Sequence, residues 1–229
     1  MHNSHDQNRL QQVLTAPQAF VTLDAQLPDR DFVDSLPPAL HVAADGAALR
    51  LLALGIMPDL VVGDLDSIGD DHGIAPSRLI RIEDQDANDF EKCLRHCLSL
   101  GLTRIMVFGL HGGELEHTLN NWSVFMRFAR RADLCLYDAG RFGIPVFGDL
   151  ALPARRNELI SFIPQPAAVI TSNGVAWPLT NEILSLGVRE GARNRATADI
   201  VRLSVHEGAV LTFCDAHYDR FGGAARSAD

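Results

Sequence analysis

Residues 60–68, Leu-Val-Val-Gly-Asp-Leu-Asp-Ser-Ile, are the stretch from which the fold is read. The apolar run into Gly63 predicts a buried strand, and Asp64 and Asp66 follow directly. Open parallel sheets place their sites outside the carboxyl ends of strands, so this pair stands where chemistry is expected. Alternating positions in an extended segment point both carboxylates the same way. Two carboxylates about 5 Å apart repel by about 3 kcal/mol at an effective dielectric of 20. A divalent cation removes that conflict, and oxygen ligands suit magnesium. A polar turn after a strand is the plainer alternative.

Outward from this segment, strands and helices alternate. Strands are predicted at Ala19–Leu23, Ala39–Ala43, Leu60–Val62, Leu79–Ile82, Arg104–Phe108 and Leu134–Tyr137. Helices are predicted at Ala47–Leu54, Asn88–Leu100 and His117–Arg131, the last with Leu119, Trp122, Phe125, Met126 and Ala129 on its apolar face. Asn88 and Glu91 have the spacing of a capping box, and Gly101 supplies the stop. Such alternation implies an α/β domain with a largely parallel sheet. After about residue 144 only short β-like runs separated by turns follow, which reads as an all-β sandwich or barrel. The expected division is an α/β domain over 18–144 and a β-sandwich over 145–220.

The composition fits this reading. The 229 residues suit one large domain or two small ones, with 47% apolar and 21% charged residues. Net charge is −9, and ten of the 29 acids fall between Asp59 and Glu91. That argues against a nucleic-acid backbone as main partner, but not against phosphates held through a metal. No apolar run reaches the ~18 residues of a membrane span, and the N-terminal stretch does not resemble a signal peptide. Cys93, Cys97, Cys135 and Cys214 show no disulfide framework or CxxC motif, so reduced thiols in a cytoplasmic protein are expected.

Three further groups carry possible chemistry. Asp86 and Asp89 in DQDANDFEK lie at a helix start, where acids are favoured by the macrodipole alone; with the first acidic pair they also make a second wall of a metal site. Gly109, Gly112 and Gly113 in GLHGGELEH lead from strand to helix, where backbone amides can approach phosphate, although glycine-rich turns are common. His117 is placed either to donate to a phosphate or to face solvent. Cys93 and Cys97, four apart on one helix, read as buried thiols. Trp177 before Pro178 reads as a core or interface aromatic.

Taken in order, these segments resemble the thiamine pyrophosphokinase family. ADGAALRLLALGIMPDLVVGDLDSI is similar to its first signature, DQDANDFEK to its second, GGELEHTLNN to its third, and GVAWPLTNEILSLG to that of its β-domain. The resemblance runs from about Phe20 to about Phe213. It implies a Rossmann-like catalytic domain followed by a β-sandwich, a homodimer, and transfer of the pyrophosphoryl group of ATP to the thiamine hydroxyl with magnesium, releasing AMP. By position it makes Asp64, Asp66 and Asp89 metal-site and catalytic carboxylates, and Glu116 the last catalytic acid. Asp45 and Gln85 become neighbouring polar site residues, Gly112, Gly113 and His117 the phosphate turn, and Asn194 part of the thiamine pocket.

This chain also departs from the family pattern. Glu114 stands where an Arg would face triphosphate, Glu116 replaces an Asp, and Arg193 replaces a Ser beside Asn194. Arg50, Arg193 or Arg195 is then expected to supply the missing cation. A non-catalytic binding protein of the same fold, or a pyrophosphokinase for another heterocyclic alcohol, are the alternatives. A haloacid-dehalogenase-type hydrolase also begins with a strand running into Asp-x-Asp, but Ile68 and the context of Lys92, the chain's single lysine, do not match its pattern.

Overall fold

Residues 16–69 and 72–217 are described by the computed structural model, and they divide into two units, Ala16–Ala139 and a second beginning at Gly140. The N-terminal segment 1–15 and the Gly/Ala/Arg-rich tail lie outside the described residues.

The first unit contains β1 (Ala19–Thr22), α1 (Arg30–Ser35), β2 (Leu40–Ala44), α2 (Ala47–Ala53), β3 (Leu60–Gly63), β4 (Leu79–Arg81), α3 (Asp89–Ser99), β5 (Arg104–Phe108), α4 (Leu115–Phe128) and β6 (Asp133–Asp138). Its strands pair in parallel in the order β6-β5-β1-β2-β3-β4. All four residues of β1 and the last four of β5 are buried, the near-continuous burial of a parallel sheet covered on both faces. The chain leaves β1 toward β2 on one side and returns to β5 on the other. The carboxyl ends of β1 and β5 therefore form the topological switch point, where open α/β sheets bind ligands.

Two helices frame that point. Asn88 caps α3 by accepting from the Glu91 amide at 2.9 Å. The Glu91 side chain does not complete a capping box; it pairs with Arg95 at 2.6 Å and with Arg127 of α4. The interior face of α3 is Phe90, Cys93, Leu94 and Cys97. The buried residues of α4 are Val124, Phe125 and Phe128, whereas Leu119, expected on the apolar face, is 60% exposed. Burial is confined to the C-terminal half of α4; its N-terminal half borders the cleft described below. All four cysteines are buried, and none forms a disulfide. Burial pushes the Cys93 thiol well above its ordinary range and that of Cys97 up to about 12.

The second unit contains β7 (Arg141–Val146), β8 (Asp149–Pro153), β9 (Leu159–Asn173), β10 (Leu179–Ser185), β11 (Gly191–Arg195) and β12 (Ile200–Asp215), all antiparallel to their partners. The 15-residue β9 and 16-residue β12 are longer than the short runs separated by turns expected from the sequence. One half of β12 pairs with β8 and the later part of β9; the other half pairs with β7 and the early part of β9. Bulges at Val205/Glu207 and Gly208/Val210 bend β12 between the two halves. Residues read as turns are thus bends within long strands. Among the described residues, no helix is long and apolar enough to cross a membrane.

Candidate active site

The acidic wall is built by two left-handed residues. Asp45, just past β2, has φ 41°, and its amide donates to Val62 O at 3.1 Å, tying it to β3. Leu65, between Asp64 and Asp66, has φ 67°. The segment after β3 is therefore not extended as the sequence suggested. It turns back so that the Asp66 amide faces Asp64 Oδ1 at 3.4 Å. A side chain in this conformation costs about 1–2 kcal/mol, and Leu65 offsets it by packing against the core cluster around Leu51 and Val61.

The result is that Asp45, Asp64 and Asp66 each offer a carboxylate oxygen within 4.8 Å of the others. Asp45 is 4% exposed, its Oδ1 has no hydrogen-bond partner, and burial followed by the charges of Asp89, Asp64 and Asp66 raises its pKa against a lowering hydrogen bond from Ser67. The hydrogen bond from the Asp66 amide, then the Lys92 ammonium, hold Asp64 below the ordinary carboxylate range. A buried, unpartnered carboxylate oxygen facing two more carboxylates is a donor set that a hard divalent cation fits.

Asp89 approaches the same place from α3. A Cβ built on Gly63 would lie 2.8 Å from Asp45 Cβ and 3.2 Å from Asp89 Oδ1, so only glycine lets both acids close over the end of β3. Asp89 Oδ1 accepts from Lys92 Nζ at 2.9 Å, and the Lys92 side chain is 4% exposed. Burial opposes the Lys92 charge, but the hydrogen bond and charge of Asp89, with Asp64 and Asp84, outweigh it and raise its pKa.

Of these groups, Asp64, Asp89 and Lys92 line a cleft of about 570 Å³ in the first unit; Asp45 and Asp66 are not among its lining residues. Asp64, Gln85, Asp89, Gly112, Gly113 and His117, all expected at the site, line it. So do Asn88, expected only as a helix cap, and Leu23, Asp24 and Ala25 after β1 with Asn120 and Asn121 on α4, which sequence reasoning did not single out for the site. Asp24 had a signal, since it follows a buried strand as Asp64 does; seeing it required knowing that β1 is central. Asn88 Nδ2 donates to Asn121 Oδ1 at 3.0 Å, fastening the start of α3 to α4 across the cleft. Gly112 is close-packed, as a Cβ there would meet Ala25 Cβ at 3.0 Å, while Gly113 faces open space. Glu116 is exposed in the first turn of α4 and is not among the lining residues.

Residues 37–136, which include the acidic wall and the glycine turn, match the catalytic domain of thiamin pyrophosphokinase. Over this stretch the chain is similar to the thiamin pyrophosphokinases. Thiamin pyrophosphokinase 1 of Caenorhabditis elegans is 26% identical over 188 residues, covering 75% of this chain and 77% of that protein. Thiamine pyrophosphokinase of Bacillus subtilis is 28% identical over 159 residues, covering 65% and 74%. In fold, the chain is similar to the crystal structure of the Bacillus subtilis thiamine pyrophosphokinase, with TM-score 0.74, 22% identity, and 86% of this chain and 99% of that one covered. The yeast thiamin pyrophosphokinase structure gives TM-score 0.74 at 16% identity, covering 92% and 91%.

In the second unit, Asn194 is 6% exposed and serves the backbone. Its Oδ1 accepts from the amides of Trp177 (3.1 Å) and Arg195 (2.8 Å), and its Nδ2 donates to Trp177 O at 2.8 Å. Asn194 therefore fixes Trp177, which is 64% exposed. Arg193 has φ 58° at the β11 bulge.

Proposed function

We propose that this protein transfers the pyrophosphoryl group of ATP to the hydroxyl of thiamine, giving thiamine diphosphate and AMP. The observation that carries the reading is the cluster of Asp45, Asp64 and Asp66, of which Asp64 lines the switch-point cleft, within the stretch that matches the thiamin pyrophosphokinase catalytic domain. In this reading Asp64 and Asp66 hold magnesium and Asp45 completes the set from the buried side. Bound there, magnesium neutralises charge on the phosphate oxygens.

The remaining roles follow from placement. The acceptor oxygen bonds to the β-phosphorus as the bond from the α,β-bridging oxygen breaks, so AMP leaves with that oxygen. Asp89, expected among the metal ligands, has Oδ1 held by Lys92; its Oδ2 is proposed to take the hydroxyl proton. Gln85, Gly112, Gly113 and His117 line the path of the polyphosphate. Holding both reactants in line supplies most of the acceleration. Glu116 acts at longer range, through charge. The first unit, Ala16–Ala139, is proposed as the Rossmann-like catalytic domain, ending a few residues before the boundary expected at 144. The second unit, beginning at Gly140, is proposed as a β-sandwich that presents Trp177, fixed by Asn194, to thiamine in a cytoplasmic homodimer with no nucleic-acid partner.

Incubation with ATP, magnesium and thiamine, with the nucleotides and thiamine species resolved by chromatography, tests this. AMP and thiamine diphosphate should appear in equal amounts. ADP as sole nucleotide product, or AMP with free pyrophosphate and unmodified thiamine, overturns it.

A further inference from the structure

The cleft is too acidic for the substrate it is proposed to hold. Asp24, Asp64, Asp86 and Asp89 line it against a single ammonium, that of Lys92. The triphosphate of ATP carries more negative charge than one divalent ion cancels. Glu114, beside the glycine turn, is 70% exposed and lies 3.7 Å from His117 Nε2, adding an acid where a cation is wanted. Lys92 is already committed, since its buried ammonium is matched to Asp89 and breaking a buried pair strands a charge.

Arg50 is differently placed. It lies on α2, its Nε donates to Asp24 Oδ1, and both side chains are more than half exposed. Asp24 lines the cleft, and its Oδ2 comes within 3.5 Å of where a Gly46 Cβ would stand, beside the turn that carries Asp45. Of the three arginines expected to supply the missing cation, Arg50 is paired with a residue that lines the cleft, whereas Arg195 Nη1 is bonded to Asn157 O at 3.0 Å. Resting on the reading above that the cleft takes ATP, we propose that Arg50 is the polyphosphate-binding arginine of this chain, held in reserve on Asp24 and exchanged onto phosphate oxygens when the nucleotide enters. An exposed ion pair contributes little and is readily exchanged. The guanidinium fork matches two phosphate oxygens at once, a stronger arrangement than its contact with Asp24.

The test is calorimetric binding of magnesium-ATP and of AMP, without acceptor, to wild type, Arg50→Ala, Arg50→Lys and Asp24→Asn, with melting curves to establish folding. Arg50→Ala should weaken magnesium-ATP at least tenfold, a loss of about 1.4 kcal/mol, while AMP changes less than twofold. Arg50→Lys should recover part of the loss. Asp24→Asn should tighten magnesium-ATP, because it removes the competitor for Arg50; if the pair were merely structural, both variants would weaken binding. Magnesium-ATP binding within twofold of wild type in Arg50→Ala, or Arg50→Ala and Asp24→Asn changing in the same direction, overturns the proposal and leaves the proposed activity standing. No magnesium-ATP binding by wild type overturns both.

Discussion

The two walls of the cleft are held by different means. The acidic wall is over-determined: Asp45 and Leu65 adopt left-handed conformations, Gly63 leaves no room for a side chain, and Asp89 is clamped by a buried lysine. The glycine turn opposite is exposed from His111 through His117 except at Gly112, and its two acids, Glu114 and Glu116, reach into solvent. Strain persists where the surroundings enforce it and the function needs it. The contrast teaches that the resemblance to thiamine pyrophosphokinases is kept where packing and charge converge on one geometry. It has drifted where a side chain can change without disturbing its neighbours.

If that is so, the largest effects belong to the acidic wall. Asp64→Asn and Asp66→Asn should each lower kcat by ~10³, about 4 kcal/mol of transition-state stabilisation. Each should also abolish the rise in melting temperature that magnesium gives the wild type, since a ligand of the native state stabilises it. Glu116→Gln, on the other wall, should cost less than ~10-fold, about 1.4 kcal/mol. A loss at Glu116 equal to that at Asp66, or an intact magnesium shift in Asp66→Asn, would break the contrast.

An intermediate effect separates neighbouring glycines within the weaker wall. Gly112 has φ 130° and would place a Cβ 3.0 Å from Ala25 Cβ and 3.1 Å from Gln26 N, whereas Gly113, at φ 70°, has nothing within 4 Å. Gly113→Ala should therefore cost only the left-handed backbone penalty, ~1 kcal/mol. Gly112→Ala should cost at least twice that and displace the loop after β1. Denaturant titration of both variants would settle it; equal losses would mean that contact with Ala25 contributes nothing to the turn.

Much of this was legible in the sequence because the signals were local. The run into Gly63, the Asn88 cap and the glycine stop at 101 each state their structure within a few residues. What was missed depended on long-range partners. The apolar stripe of α4 offers overlapping arcs, and the local pattern does not decide that Phe128 is covered and Leu119 is not. The region after residue 144 reads as short strands separated by turns, yet β9 runs through Gln165 and Pro166 and β12 through Gly208, because each strand has partners on both sides that carry it across the bend. Asp24 and Asn121 join the site only once β1 and β5 are neighbours, which strand order determines and local pattern does not. The three-carboxylate geometry came from a left-handed Leu65, where alternation in an extended segment was expected.

The smallest effect probes the departure itself. Glu114→Arg reverses a charge beside the glycine turn, and because the position is 70% exposed the change acts through water. Two unit charges about 8 Å apart at an effective dielectric of 20 interact by about 2 kcal/mol, but that figure applies to partly desolvated pairs. At the surface, at about 0.1 M salt, the Debye length of about 10 Å screens most of it. The expected outcome is a decrease in the ATP Michaelis constant of only ~2–5-fold, under about 1 kcal/mol, largest at low ionic strength and absent at ~1 M salt, where the Debye length falls to about 3 Å. Steady-state kinetics across a salt series measures it. A gain above tenfold that survives high salt would mean that residue 114 touches phosphate directly. The glycine turn would then bind the polyphosphate through its side chains, and its drift to glutamate would be a loss of function rather than a neutral change on an exposed wall.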